Sequence, residues 1–235
     1  MKIVAIADIH GTLPEDLPDG DVLTISGDIC PDFMIAGDGG PMVGSQRNWL
    51  KNHFLRWCDK LIESGKFCDI VFVAGNHDFV FEKPIKIQHL NFKERVHYLQ
   101  DSSVTIDGVN FYGLPWCTFC GAWAFMGSKE ALEKKYSKIP EGTDVLLSHG
   151  PVKGYGDDVE SYNVMLGMKE IEHVGSKSLL DNVIRVMPRY VCTGHIHCGS
   201  HREFTLDLEK PVTIVNVAIL NDHYKNMYSS FEFEI

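Results

Sequence analysis

A chain of 235 residues can bury a sizeable core, and its 44% hydrophobic and 23% charged content excludes a disordered or fibrous protein. A formal net charge of −10 with no strong clustering of Lys or Arg excludes a general grip on nucleic acid phosphates. Seven scattered cysteines, an odd number, read as free thiols in a reducing, cytoplasmic compartment; the apolar N-terminus is too short for a secretory leader and no run reaches membrane-span length.

Residues 2–7 are a continuous apolar run with β-branched members, the pattern of a strand covered on both faces, and the run stops at Asp8-Ile9-His10-Gly11. A turn-rich stretch with Pro14, Pro18 and Gly20 leads to a second run, 21–26, ending in Gly27-Asp28. Residues 30–44 are glycine-rich. They lack the strand-loop-helix frame and the following Lys and Ser/Thr of a phosphate cradle, so they read as a surface loop. Ser45 is the expected N-cap of an amphipathic helix in which Trp49, Leu50, Phe54, Trp57, Cys58, Leu61 and Ile62 recur at helical spacing, with Gly65 as its stop. A third apolar run, 69–74, ends in Gly75-Asn76-His77-Asp78.

Residues 79–103 predict a short helix or an irregular loop. Residues 104–113 read as a hairpin about Asp107-Gly108. The aromatic stretch 115–125 is the best candidate for substrate selection, with simple core packing an equal alternative. A short helix is expected over 128–138. A fourth run, 144–147, ends in Ser148-His149-Gly150, and a glycine-rich loop follows at 153–158. Residues 178–187 predict a helix, with Ser178 and Asp181 as a capping box and Pro188 as the stop. A fifth run, 190–193, ends in Gly194-His195-Ile196-His197. The tail pairs 203–208 with 212–217 and closes with an alternating strand at 231–235. No repeat or linker divides the chain, so one domain is expected over 1–235.

Each of the five runs is thus followed at once by a metal-competent side chain. Strands alternating with helices predict stacked α/β layers that bind ligands beyond the carboxyl ends of the strands. If the five runs lie side by side and parallel, one sheet edge receives Asp8, His10, Asp28, Asn76, His149, His195 and His197. These oxygen and nitrogen donors suit Mn, Fe, Zn or Ni, and they are too many for one tetrahedral ion. They fit two ions sharing a ligand, roughly 3.5–4 Å apart. The other histidines (His53, His89, His97, His173, His201 and His223) lack a strand-end context and read as structural, with His201 the nearest exception. Cys117-Thr118-Phe119-Cys120 has neither the second pair of a zinc ribbon nor a thioredoxin frame, so no role is expected for it. Cys30 and Cys198 flank expected ligands, where oxidation could disturb the site.

The ordered set Asp8-x-His10, Gly27-Asp28, Gly75-Asn76-His77-Asp78, Ser148-His149-Gly150 and Gly194-His195-Ile196-His197 resembles the calcineurin-like metallophosphoesterase superfamily across most of the chain. Pro115-Trp116, Trp123-Ala124-Phe125 and His149-Gly150-Pro151 narrow the resemblance to the metallophosphoesterase-domain-containing family, grouped with class III cyclic nucleotide phosphodiesterases. Some members lack the first histidine of the final pair; here His195 is present. Gly27-Asp28 continues as Ile29-Cys30-Pro31-Asp32, unlike the protein phosphatase branch.

The resemblance implies a four-layer α/β/β/α sandwich: two mixed β-sheets face to face, with helices outside. It implies that Asp8, His10, Asp28 and His197 bind one ion, that Asp28 bridges, and that Asn76, His149 and His195 complete the other. The cofactor expected is a pair of divalent transition-metal ions, with Mn favoured. A bridging water that loses a proton near neutral pH would attack phosphorus in line. His77 is assigned to the phosphoryl or leaving oxygen and is the candidate general acid. With Asp28 and Asn76 it makes up the expected catalytic group, while Asp78 shapes the turn. The expected activity is hydrolysis of a cyclic nucleotide or another small phosphodiester. Alternatives are a phosphomonoesterase or nuclease on the same site, or a scaffold without catalysis. The partner expected is a small phosphoester, a nucleotide among the candidates; no stable nucleic-acid or membrane partner is expected, and homo-oligomerisation is left open.

Overall fold

The five apolar runs become inner strands, and in the computed structural model, which describes residues 1–32, 43–82, 87, 90–163, 168–199, 201–225 and 228–235, they are shared between two sheets. In chain order the strands are β1 (Lys2–Ile6), β2 (Val22–Ser26), β3 (Asp69–Val73), β4 (Val96–Tyr98), β5 (Ser102–Ile106), β6 (Val109–Leu114), the short β7 (Cys117–Thr118) and β8 (Met126–Gly127), β9 (Val145–Ser148), β10 (Asp158–Asn163), β11 (Met168–His173), β12 (Tyr190–Thr193), β13 (Glu203–Leu206), β14 (Val212–Asn216) and β15 (Phe231–Glu234). One sheet has the order β15-β1-β2-β3-β4, and the other β13-β14-β12-β9-β6-β5. Inner pairs are parallel and the edge strands β15, β13 and β5 are antiparallel, so both sheets are mixed. The expectation of one edge collecting all five runs is therefore corrected: β1, β2 and β3 lie in the first sheet, β9 and β12 in the second.

Strand periodicity builds the layers. Ile3 and Ala5 of β1 point to one face and Val4 and Ile6 to the other. The first face meets Val71, Val73, Phe111, Val145, Leu147, Cys192 and Val215, which form the core between the sheets. The second packs with Leu23, Ile25 and Phe72 against Phe54, Trp57, Cys58 and Leu61 of the first helical layer. The outer face of the second sheet packs Leu146, Val191 and Ile214 against Leu132, Tyr136, Leu179 and Val183. Burying each such aliphatic side chain is worth about 1.5–3 kcal/mol relative to exposure, which fixes the helices to their sheets. This is the expected four-layer arrangement.

The first helical layer runs from α1 (Val43–Trp49) through a π-helical turn (Leu50–Phe54) into α2 (Leu55–Glu63), and Gly65 ends it at φ +75°. Ser45 lies inside α1 and does not cap it. The second layer is α3 (Lys129–Tyr136), whose N-cap Ser128 accepts from Ala131 N, and α4 (Lys177–Val186). The cap of α4 is Ser176, which accepts from Leu179 N, and not Ser178; Asp181 instead pairs with Lys177 one turn earlier. Residues 79–103, expected to be helix or loop, contain β4. The ribbon of β10 and β11 was likewise not expected: its strands are largely polar, and a run without an apolar face carries no buried-strand signal. The 104–113 hairpin is present, with Asp107 and Gly108 both at positive φ as a tight two-residue turn requires. All seven cysteines are free. Among the described residues no helix is long and apolar enough to cross a membrane.

Candidate metal centre

The five strand ends open toward one another where the carboxyl ends of the two sheets meet. The turns are tight. Asp8, His10, Asp28 and His195 all sit at positive φ (54°, 40°, 49° and 70°), a conformation that costs a non-glycine residue about 1–3 kcal/mol. Backbone bonds hold it in place: Asp8 N donates to Gly27 O at 3.0 Å and His10 N to Asp28 O at 2.9 Å. His195 N donates to both carboxylate oxygens of Asp8, at 3.0 and 2.9 Å, tying the second sheet to the first. Glycine is required beside these acids. A Cβ on Gly75 would lie 2.2 Å from Asp28 Oδ1, and one on Gly194 2.4 Å from Asp8 Oδ2.

Asp28 is the hub. Its Oδ1 accepts from His77 N at 2.8 Å, while Oδ2 faces His149 Nε2 at 3.4 Å and His10 Nε2 at 3.7 Å. Asp8 Oδ1 faces His197 Nε2 at 3.6 Å. The ligand atoms of Asp8, His10 and His197 lie within 4.8 Å of one another, as do those of Asp8, Asp28 and His149. Asn76 Oδ1 lies 2.8 Å from His149 Nε2. All seven sequence-predicted ligands therefore converge on one place.

The donor set fits a pair of cations. Both ring nitrogens of His10 are buried without a hydrogen-bond partner, an expense that a cation would offset. His149 Nδ1 donates to Ser26 O at 3.0 Å and His197 Nδ1 to Asn221 O at 3.0 Å. A carbonyl can only accept, so each Nδ1 carries the proton and each Nε2 aims inward, as in metal-ligating histidines. His149 Nε2 then meets the oxygens of Asn76 and Asp28, and either a second proton or a cation must lie among them.

Electrostatics follow this geometry. Burial opposes charge on Asp28, but His149, His77 and His10 outweigh it and hold the carboxyl well below the ordinary range. Burial likewise opposes a proton on His149, yet Asp28 foremost among its neighbours holds its pKa well above the ordinary value. His197, opposed by burial but bonded to Asp8, is raised to about 9. Burial, reinforced by His149, lowers His195 to about 4.

His77 stands off this set, with Nε2 4.0 Å from Asp28 Oδ2. Its Nδ1 lies 2.5 Å from Asp32 Oδ1, and its ring stacks on Trp123 with centroids 4.2 Å apart. Burial opposes its protonation, but Asp32 and Asp28 outweigh it and raise the pKa. Asp32 is a functional residue the sequence reading passed over, although it stands in the quoted stretch after Gly27-Asp28. Asp78 shapes the turn as expected: its buried carboxylate accepts from Gly75 N, Ile29 N and Cys30 N.

A cleft of about 610 Å³ opens over the site, walled by Asp32, His77, Trp123, His197, Asp222 and Tyr224 among others. Tyr224 sets its ring edge-on to His10 at 4.5 Å. The aromatic stretch divides its labour. Phe125 is buried against Trp116, whose indole donates to Asp101, whereas Trp123 faces the cleft. The remaining histidines lie elsewhere: His97 pairs with Asp69, His173 with Asp157, His53 stacks on Trp49, and His201 stacks on Tyr228. His89 lies outside the described residues.

Comparison with known proteins agrees with this geometry. A family model described as calcineurin-like phosphoesterase matches residues 1–199. The chain is 29% identical over 249 aligned positions to human metallophosphoesterase domain-containing protein 1, covering 95% of this chain and 68% of that protein. A UPF0046 protein of Caenorhabditis elegans is 28% identical over 253 positions, covering 100% of this chain and 81% of its own length. A solved structure at 13% identity shares the fold, with a TM-score of 0.55 over 92% of this chain and 89% of its own. By its motifs, its sheets and the extent of the family match, the chain belongs to the calcineurin-like phosphoesterase family.

Proposed function

We propose that the protein hydrolyses small phosphodiesters, cyclic nucleotides among them, with two divalent ions. Asp8, His10, Asp28 and His197 would hold one ion and Asp28, Asn76, His149 and His195 the other. The observation that carries this reading is the convergence of seven donors from five strand ends around His10, whose two buried ring nitrogens make no hydrogen bond. When bound, the two ions supply Lewis acidity toward a phosphoryl group and acidify water.

The chain's own groups do the rest. Asp28, ionised and facing histidines of both half-sites, places its negative charge between the cations. His77, its proton favoured and aimed by Asp32, is set to give a proton from Nε2 to the departing ester oxygen. Trp123 offers an aromatic face at the cleft wall, suited to a nucleobase or an aryl ester. The described lining carries Asp28, Asp32 and Asp222 with neither Lys nor Arg, which favours a small substrate over a nucleic acid strand.

The test is metal analysis together with a substrate panel: aryl and alkyl mono- and diesters, 2′,3′- and 3′,5′-cyclic nucleotides, and single-stranded DNA. Diesters should be turned over fastest in the presence of Mn²⁺, and Asp28→Asn should lower kcat/KM by at least ~100-fold, in line with losses seen around metal sites. Preference for monoesters would point to a phosphomonoesterase. Absence of any transition metal, without rescue by Mn²⁺, would point to the scaffold.

A further inference from the structure

Cys117 begins β7, one residue after Trp116, in a Cys-x-x-Cys for which the sequence alone suggests no use. Its surroundings supply one. The His149-Gly150 turn at the end of β9 lies directly on it: a Cβ on Gly150 would sit 3.2 Å from Cys117 Cα. The thiol is fully buried. Its sulfur and one ring nitrogen each of His149 and His195 lie within 4.8 Å of one another. Among the described residues no hydrogen bond engages the ring nitrogens of His195, which leaves them free for another partner. Cys120 diverges from this cluster: it is exposed, with its sulfur 3.7 Å from Met126 Sδ.

A thiolate and an imidazole side by side on one ion, at about 2.3 and 2.0–2.1 Å from the metal, stand roughly 3–3.5 Å apart. The three ligand atoms, all within 4.8 Å of one another, lie in the range from which that spacing is reached. We infer that Cys117 is a ligand of the second ion, beside His149 and His195, an inference that rests on the two-ion reading above. On binding, the S–H bond is replaced by a sulfur–metal bond and the proton leaves to solvent, with no change of oxidation state. The two half-sites then differ in kind. Asp8, His10, Asp28 and His197 form a hard set suited to Mn²⁺, while the half-site with Cys117 is softer and holds Zn²⁺, Fe²⁺ or Co²⁺ more tightly than Mn²⁺.

The experiment is titration of metal-free protein with Co²⁺, read by absorption. Visible ligand-field bands count bound ions, and a near-ultraviolet sulfur-to-cobalt charge-transfer band reports a thiolate ligand. Wild type should bind two ions and show the charge-transfer band. Cys120→Ser and Cys198→Ser should keep it. Cys117→Ser should lose it while the ligand-field bands remain, and should hold Zn²⁺ less tightly than wild type. X-ray absorption at the zinc edge of the wild-type protein gives an answer independent of any variant: a sulfur scatterer at about 2.3 Å is expected. Two bound ions with only nitrogen and oxygen neighbours, or a charge-transfer band that survives Cys117→Ser, would overturn the assignment and leave the two-ion reading standing. Failure of wild type to bind Co²⁺ at all would overturn both.

Discussion

At the scale of single residues, the proposed reaction separates catalysis, at His77 and Asp32, from metal holding. In it His77 would transfer a proton that Asp32 aims, and neither belongs to the seven converging donors. His77→Gln should lower kcat by about 10²–10⁴-fold, the usual worth of a general acid, while metal content by mass spectrometry stays at the wild-type value. Asp32→Asn should cost less, about 10–100-fold, as loss of an orienting partner does. The double variant should be hardly worse than His77→Gln, because the two act as a unit. All seven donors were readable because each ends a buried parallel strand, and such strands announce themselves as apolar runs. Asp32 follows a proline in a loop, where an isolated carboxylate looks like any turn residue. The Cys117 cluster is not legible in the sequence, because His149 and His195 approach it only through space.

At the scale of elements, two buried carboxylates hold loops together. Asp78 spans the ends of β2 and β3 by accepting from Ile29, Cys30 and Gly75. Asp78→Ala strands these amides in a buried place and should cost at least about 2 kcal/mol, seen as a lower urea midpoint with an unchanged slope. Asp157, just before β10, accepts from Gly175 N at 2.9 Å and His173 Nδ1 at 2.7 Å. Burial raises its pKa, but the backbone amides of Gly154 and Gly175 and the His173 ring more than offset this and hold it below the ordinary carboxylate value. A depressed carboxylate stabilises above its unfolded pKa, and that stability fades as pH falls through the folded value. The difference in Tm between wild type and Asp157→Asn should therefore be constant above about pH 5 and shrink as the medium is acidified below pH 4. Elements with strong local patterns, such as the β5–β6 hairpin and α4, were legible in the sequence. The three-residue β4 was too short, and the β10–β11 ribbon too polar. Assignment of the strands to two sheets depends on which strands pair, such as β9 with both β6 and β12, and pairing between distant segments is not encoded in local periodicity.

At the scale of the whole molecule, ligands from both sheets make bound ions a clamp between them. Even one ion bound only by the folded state at about 100 times its Kd should add ~2.7 kcal/mol, and a chain of this size gains about 2–4 °C in Tm for each kcal/mol. Tm should thus rise by about 5–10 °C with saturating Mn²⁺ or Zn²⁺ and fall back on adding a chelator, measured by calorimetry. The bond from His195 N to Asp8, spanning 187 positions, also sets a clock for biosynthesis. Ribosomes add about 5–20 residues each second, so Asp8 emerges some 10–40 s before its partner. During that interval the first sheet lacks the β12 side of the site, and any ion that needs ligands from both sheets would be taken up late in the protein's maturation.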